Sequence, residues 1–144
     1  MNLYFEWAAL VFSGLFAGAS VYISLVEHPA RLECGPGVAV TVFGPSYRRA
    51  SKLMASLAAL GFLGGFEAWW FGSGSRWLVG AVALVVVIPF TLAVVMPANV
   101  RMLDPALDKQ SAEAQRLLAR WGRFQAVRTL LGLVSFLTFL SAGW

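Results

Sequence analysis

Residues Trp77 to Val100 read WLVGAVALVVVIPFTLAVVMPANV, 24 residues without a single charge. A helix needs roughly 20 apolar residues to cross the hydrocarbon core of a bilayer, so this stretch predicts a membrane span. Working outward, Trp7 to Val26 is an uncharged run of 20, and Leu53 to Phe71 is a run of 19 broken only by Glu67. Thr129 to Trp144 adds 16, and starting at Phe124 gives 21, with Arg128 near the membrane boundary. The expected fold is all-α, an integral membrane four-helix bundle. It forms one domain over residues 1–144, with spans at about 5–27, 50–71, 77–100 and 124–144 and loops at about 28–49 and 101–123. The first span does not read as a signal peptide. It is too long, and it lacks both a basic n-region and an obvious cleavage site before Glu27-His28-Pro29.

The composition agrees. With 59% apolar and 12% charged residues, the chain is neither disordered nor a normal soluble domain. Cys34 is the only cysteine, which excludes an internal disulfide, and one Cys with one His argues against a zinc cluster. Ten of the 11 Lys and Arg residues lie between Glu27 and Lys52 or between Arg101 and Arg128, and only Arg76 lies opposite. The positive-inside rule then places both loops in the cytoplasm and both termini outside, as in a bacterial inner (plasma) membrane protein. Facing anionic lipid, these charges need no nucleic-acid partner to account for them; the expected partner is the lipid bilayer. Trp7, Trp69, Trp70, Trp77 and Trp144 fall at the outer ends of the spans and are expected to form an interfacial belt.

Polar residues inside the spans mark candidate sites, because lipid exposure of such groups is costly. Ser13, Ala17, Ser20, Ser24 and Glu27 follow a 4-3-4-3 spacing and share one helical face, flanked by Gly14 and Gly18. That stripe reads as close helix packing ending in a carboxylate. Thr91, Val95 and Asn99 share a face of the third span, between Pro89 and Pro97. Before the fourth span, Leu117, Trp121, Gln125 and Arg128 share a face expected to look across at Glu27, His28 and Asn99, with a Glu27–Arg128 ion pair as the simplest partnership. His28 is a candidate general base, ligand hydrogen-bonder or helix cap. A lone histidine excludes bis-His haem, and Glu27 with His28 gives only two metal ligands at adjacent helical positions. No cofactor is therefore expected, with haem or metal at His28 left as an alternative. A faint internal repeat links Glu27-His28-Pro29-Ala30-Arg31 to Met96-Pro97-Ala98-Asn99-Val100-Arg101, as two hairpins related by a pseudo-twofold axis would.

Several strings together are distinctive. They are Leu15-Phe16-Ala17-Gly18-Ala19, Leu25-Val26-Glu27-His28-Pro29-Ala30-Arg31, Pro45-Ser46-Tyr47-Arg48-Arg49-Ala50, Pro89-Phe90-Thr91, Met96-Pro97-Ala98-Asn99 and Trp121-Gly122-Arg123-Phe124-Gln125-Ala126-Val127-Arg128. In order and spacing, over nearly the whole chain, they resemble the anthrone-oxygenase-like family of small four-helix membrane proteins. The resemblance implies oxidation of an anthrone or similar apolar phenol by dioxygen, without metal or flavin. Matched by position are Glu27, Pro29, Arg31, Tyr47, Arg48, Asn99, Trp121 and Arg128. Ala98 stands where threonine is expected, and Gln125 where the family pattern commonly has histidine, which removes a candidate proton acceptor.

The implied chemistry needs a base, a cation beside the developing enolate oxygen, and a dry apolar cavity. The base is then His28 or Glu27, and Arg128 with Asn99 or Tyr47 holds the oxygen. Trp121 and Phe90 stack on the ring, while Arg31, Arg48, Thr91 and Gln125 complete the expected binding set. The alternative is a protein that binds a quinone, a lipid or a partner membrane protein without turnover, a reading that Gln125 favours. Association into a homo-oligomer also stays open.

Overall fold

In the computed structural model, which describes residues 2–143, the chain folds into four long helices: α1 (Asn2–Glu33), α2 (Pro36–Trp70), α3 (Ser75–Met102) and α4 (Ala112–Ala142). Each is long and apolar enough to cross a membrane. Among the described residues there is no strand. Each helix packs on its neighbours in sequence, and α4 closes the ring on α1. The α1–α2 and α3–α4 connections share one end with most of the arginines and lysines, called here the basic end.

At about 1.5 Å per residue, helices of 28 to 35 residues outrun a ~30 Å hydrocarbon core. The segment 28–49, expected as a loop, is therefore helical apart from a turn at Cys34 and Gly35. Gly35 takes φ +86°, a conformation that favours glycine, and Pro36 opens α2 where its missing N–H costs nothing. In the segment 101–123 the irregular part ends at Ser111, whose hydroxyl caps α4 by accepting the Ala114 N–H at 3.1 Å. Arg101 spans that connection, pairing with Asp104 and Glu113 at 2.7 Å each. The Asp104 carboxyl is held below its usual range, first by the Ala106 N–H and then by Arg101.

Glycines set the helix spacing. A Cβ on Gly64 would lie 2.7 Å from the Ala9 nitrogen and 2.9 Å from the Phe5 oxygen, so α1 and α2 touch backbone to backbone. Phe139 of α4 fills the space that Gly65 of α2 and Gly80 of α3 leave open, and it stacks on Trp77 at 5.4 Å. Trp77 is 1% exposed, so it belongs to the core and not to the interfacial belt. The reason is its place in the first turn of α3, facing inward onto the Phe139 ring. Trp7 and Trp70 do face outward, while Trp144 lies outside the described residues. Of the expected small pair on α1, Gly14 faces the Phe136 ring and Gly18 faces open space.

Two turns depart from α geometry, Ile23–Glu27 in α1 and Thr91–Val95 in α3. In each, an N–H reaches back five residues, His28 to the Ile23 carbonyl and Met96 to the Thr91 carbonyl. A proline follows at once, Pro29 or Pro97. The proline ring would strike the carbonyl four residues back, and widening the turn relieves that clash. The same device thus occurs at both halves of the faint repeat.

Gly64→Ala should destabilise the bundle by about 1–3 kcal/mol through overpacking, and Gly18→Ala, with open space at its Cβ, should leave stability unchanged or raise it by up to about 1 kcal/mol. Denaturant unfolding of the detergent-solubilised variants measures both; equal midpoints would contradict the backbone contact.

Candidate functional site

Between the basic end and the middle of the bundle lies a cavity of about 190 Å³ walled by all four helices. Its α2 wall uses Ser46, Tyr47, Ala50, Ser51, Met54 and Ala58, one face at helical spacing. This face becomes legible only once α2 is known to run through Tyr47-Arg48-Arg49. The sequence reading, which began the second span near residue 50, left Ser46 outside it for that reason, and it did not single out Ser51 or Met54.

The wide turn in α1 decides which side chains enter the cavity. The spacing Ser13, Ala17, Ser20, Ser24 continues to Glu27 in a regular helix. The extra residue in Ile23–Glu27 advances the seam by one position, so His28 follows Ser24 into the α1–α4 interface. Ser24 and Thr129 share a hydrogen bond of 2.7 Å there. His28 is 6% exposed and lies against Trp121, ring centroids 5.0 Å apart. Its Nε2 is 3.1 Å from the Leu118 carbonyl, which can only accept, so Nε2 carries the proton. A Cβ on Gly122 would come within 2.8 Å of that nitrogen. His28 is not part of the cavity wall.

Glu27 turns instead toward α2 and lines the cavity. Its carboxylate accepts from Arg31 Nη2 at 2.5 Å and from Ser46 Oγ at 2.8 Å. The expected Glu27–Arg128 pair does not form. The helix continues through Pro29, and Arg31, one turn on, reaches the carboxylate first. The Arg31 side chain is 3% exposed and lies between the rings of Phe43 and Trp121, 5.9 and 5.8 Å from their centroids. Both rings supply the negative faces that a buried guanidinium needs.

On the α4 side, Trp121, Gln125 and Arg128 line the cavity together, as their shared spacing predicts. Their hydrogen-bonding capacity is unspent: Trp121 Nε1, Arg128 Nε and both amide atoms of Gln125 are buried without a partner. Arg128 has no ion pair among the described residues. Buried polar atoms are normally satisfied, so these four, with the Arg31 Nε that is also buried without a partner, mark the cavity as a place for a polar ligand or water. Tyr47 stacks on Phe43 at 5.5 Å and donates to Met96 Sδ at 3.4 Å. Thr91 is in the wall, with its hydroxyl donated to the Val87 carbonyl at 2.7 Å.

Three other expected site residues stand apart from the cavity wall. Asn99 is 1% exposed with its Oδ1 unpartnered. Phe90 meets Phe124 edge-on at 6.1 Å, and Arg48 is exposed. Among the described residues, no three His, Cys, Asp or Glu side chains gather as a metal site.

This geometry can be set beside known proteins. The sequence pattern of the anthrone oxygenase family matches residues 43–138. The chain belongs to the anthrone oxygenase family. A curated relative, anthrone oxygenase tpcL of Aspergillus fumigatus, is 29% identical over 138 residues, covering 88% of this chain and 86% of its own. No solved structure matches. The matched region carries the α2, α3 and α4 walls of the cavity, whereas Glu27 and Arg31 precede it.

Removing one partner of a buried ion pair costs about 3–5 kcal/mol. The Glu27 side chain is 30% exposed, so Glu27→Ala should lower stability by about 1–3 kcal/mol. Chemical unfolding in detergent measures this; a stability equal to wild type would show that the Arg31 charge does not depend on Glu27.

Proposed function

We propose that this protein is a membrane-embedded, cofactor-independent oxygenase acting on an anthrone-like or phenolic substrate in the cavity at its basic end. One observation carries the proposal: an apolar cavity holds an unpaired arginine, Arg128, beside unspent donors on Gln125 and Trp121. A half-buried cation with no counter-charge among the described residues favours an anion at that spot, and an enolate or phenolate is such an anion. Family membership supplies the reaction class.

Glu27 takes a proton from the substrate carbon, and Arg128 with Gln125 holds the resulting enolate oxygen. The enolate passes one electron to dioxygen, and the radical pair combines to a carbon-bound peroxide. Protonation and loss of water, with the second carbon-bound hydrogen and cleavage of the O–O bond, leave a carbonyl. In sum, CH₂ and O₂ become C=O and H₂O. Tyr47, Phe43 and Trp121 flank the ring, while His28 supports Trp121 from behind. Ten of the 11 Lys and Arg residues lie toward the basic end, which supports a cytoplasmic placement of that end in a bacterial inner membrane.

Purified protein supplied with anthrone in air should consume oxygen and form anthraquinone faster than buffer. Arg128→Gln should lower kcat/KM by about 10²–10³-fold, and Glu27→Gln by about 10²–10⁴-fold. Wild type no faster than the Arg128→Gln variant would overturn the proposal. A second reading, binding without turnover, draws on Gln125 standing where the family commonly has histidine. Its signature is thermal stabilisation by anthrone with no oxygen uptake.

A further inference from the structure

We infer that the cavity takes an amphiphile, with an acidic hydroxyaryl head at its basic end and an apolar tail that leaves between α2 and α3 into the surrounding hydrocarbon. The inference deepens the reading above and rests on it. Its first ground is shape. The α2 wall runs from Phe43 to Ala58, which at about 1.5 Å per residue is roughly 22 Å. A volume of about 190 Å³ along that length is a slot.

The second ground is a gradient along the slot. The charged and hydrogen-bonding groups, Glu27, Arg31, Ser46, Gln125 and Arg128, gather at the basic end. Toward the middle of the bundle the wall is Phe16, Met54, Ala58, Val87 and Ile88. The charges of Glu27, Arg31 and Arg128 leave one positive charge in excess, which favours an acidic head. Arg128 and Trp121 can only donate, so that head must be rich in acceptors. The rings of Phe43, Tyr47 and Trp121 around the same end favour a flat aryl group over a bare carboxylate.

The third ground is a mouth. Ala55 and Leu92 line the cavity yet are exposed, Leu92 at 61%. Toward the far end α2 and α3 pack tightly, with Leu84 filling the space over Gly61. Toward the basic end they part, around the wide turn Thr91–Val95. The opening therefore faces the lipid side of the bundle.

The test titrates the full chain in nanodiscs with salicylate, pentadecylsalicylate and pentadecanoate by calorimetry, with empty discs subtracted. Wild type should bind pentadecylsalicylate at least about tenfold tighter than salicylate, since burying even two methylenes suffices for that, and tighter than pentadecanoate. Ala55→Trp should plug the mouth and bring the ratio of pentadecylsalicylate to salicylate affinity down to about one. Leu92→Trp applies the same test should Ala55→Trp not fold. Equal affinity for salicylate and pentadecylsalicylate overturns the inference, and so does pentadecanoate binding as tightly as the aryl amphiphile. A tail advantage that survives both plugs also overturns it. Oxygen uptake with tailless anthrone, run in parallel, separates the two ideas. Turnover without tail preference sinks the amphiphile and leaves the oxygenase standing. Tail-selective binding without turnover does the reverse.

Discussion

A guanidinium inside a helix bundle in lipid has no water to fall back on, so its charge must be answered by the protein. Arg31 is answered by Glu27, by Ser46 and by the faces of Phe43 and Trp121, with its Nε left without a partner. That cluster ties the end of α1 to α2 and α4 and fixes the floor of the cavity. Other polar side chains are spent in the same way, Ser24 on Thr129, His28 on the Leu118 carbonyl and Ser135 on the Gly80 carbonyl. Against that economy, Gln125, Trp121 and Arg128 leave four buried polar atoms unspent on the cavity wall. They share one wall, and they are the groups to which a ligand would bring its own acceptors.

The four spans were legible because hydropathy reports the thickness of the membrane, and the run from Trp77 to Val100 has no other reading. The ends of the helices were not legible, since hydropathy falls silent where a helix leaves the lipid. Arg48, Arg49 and Lys52 interrupt the apolar pattern without interrupting the helix. Trp77 was misplaced because position along a span says nothing about which way a ring faces. For the site, the α4 wall of Trp121, Gln125 and Arg128 followed from spacing alone. Glu27 was seen as a candidate but given the wrong partner, because Pro29 read as the end of a helix that in fact continues through it.

Membership of the anthrone oxygenase family and the geometry meet on α4. The resemblance implies an imidazole at the position of Gln125 in other members, and an amide there can hold an oxyanion but cannot take a proton. In the proposed oxygenase the work of a base then falls on α1, where Glu27 and His28 are neighbours and Glu27 lines the cavity.

Which of the two lines the cavity is decided by a phase slip of one residue. Had the turn at Ile23–Glu27 kept ordinary α geometry, the stripe that begins at Ser13 would have carried Glu27 into the α4 seam and swung the imidazole elsewhere. The wide turn acts as an index mark on a dial, selecting which of two adjacent groups confronts the ligand while the fold around it stays the same. A bundle of this kind can therefore exchange a carboxylate for an imidazole by gaining or losing one residue in a single turn, with no change to the side chains themselves.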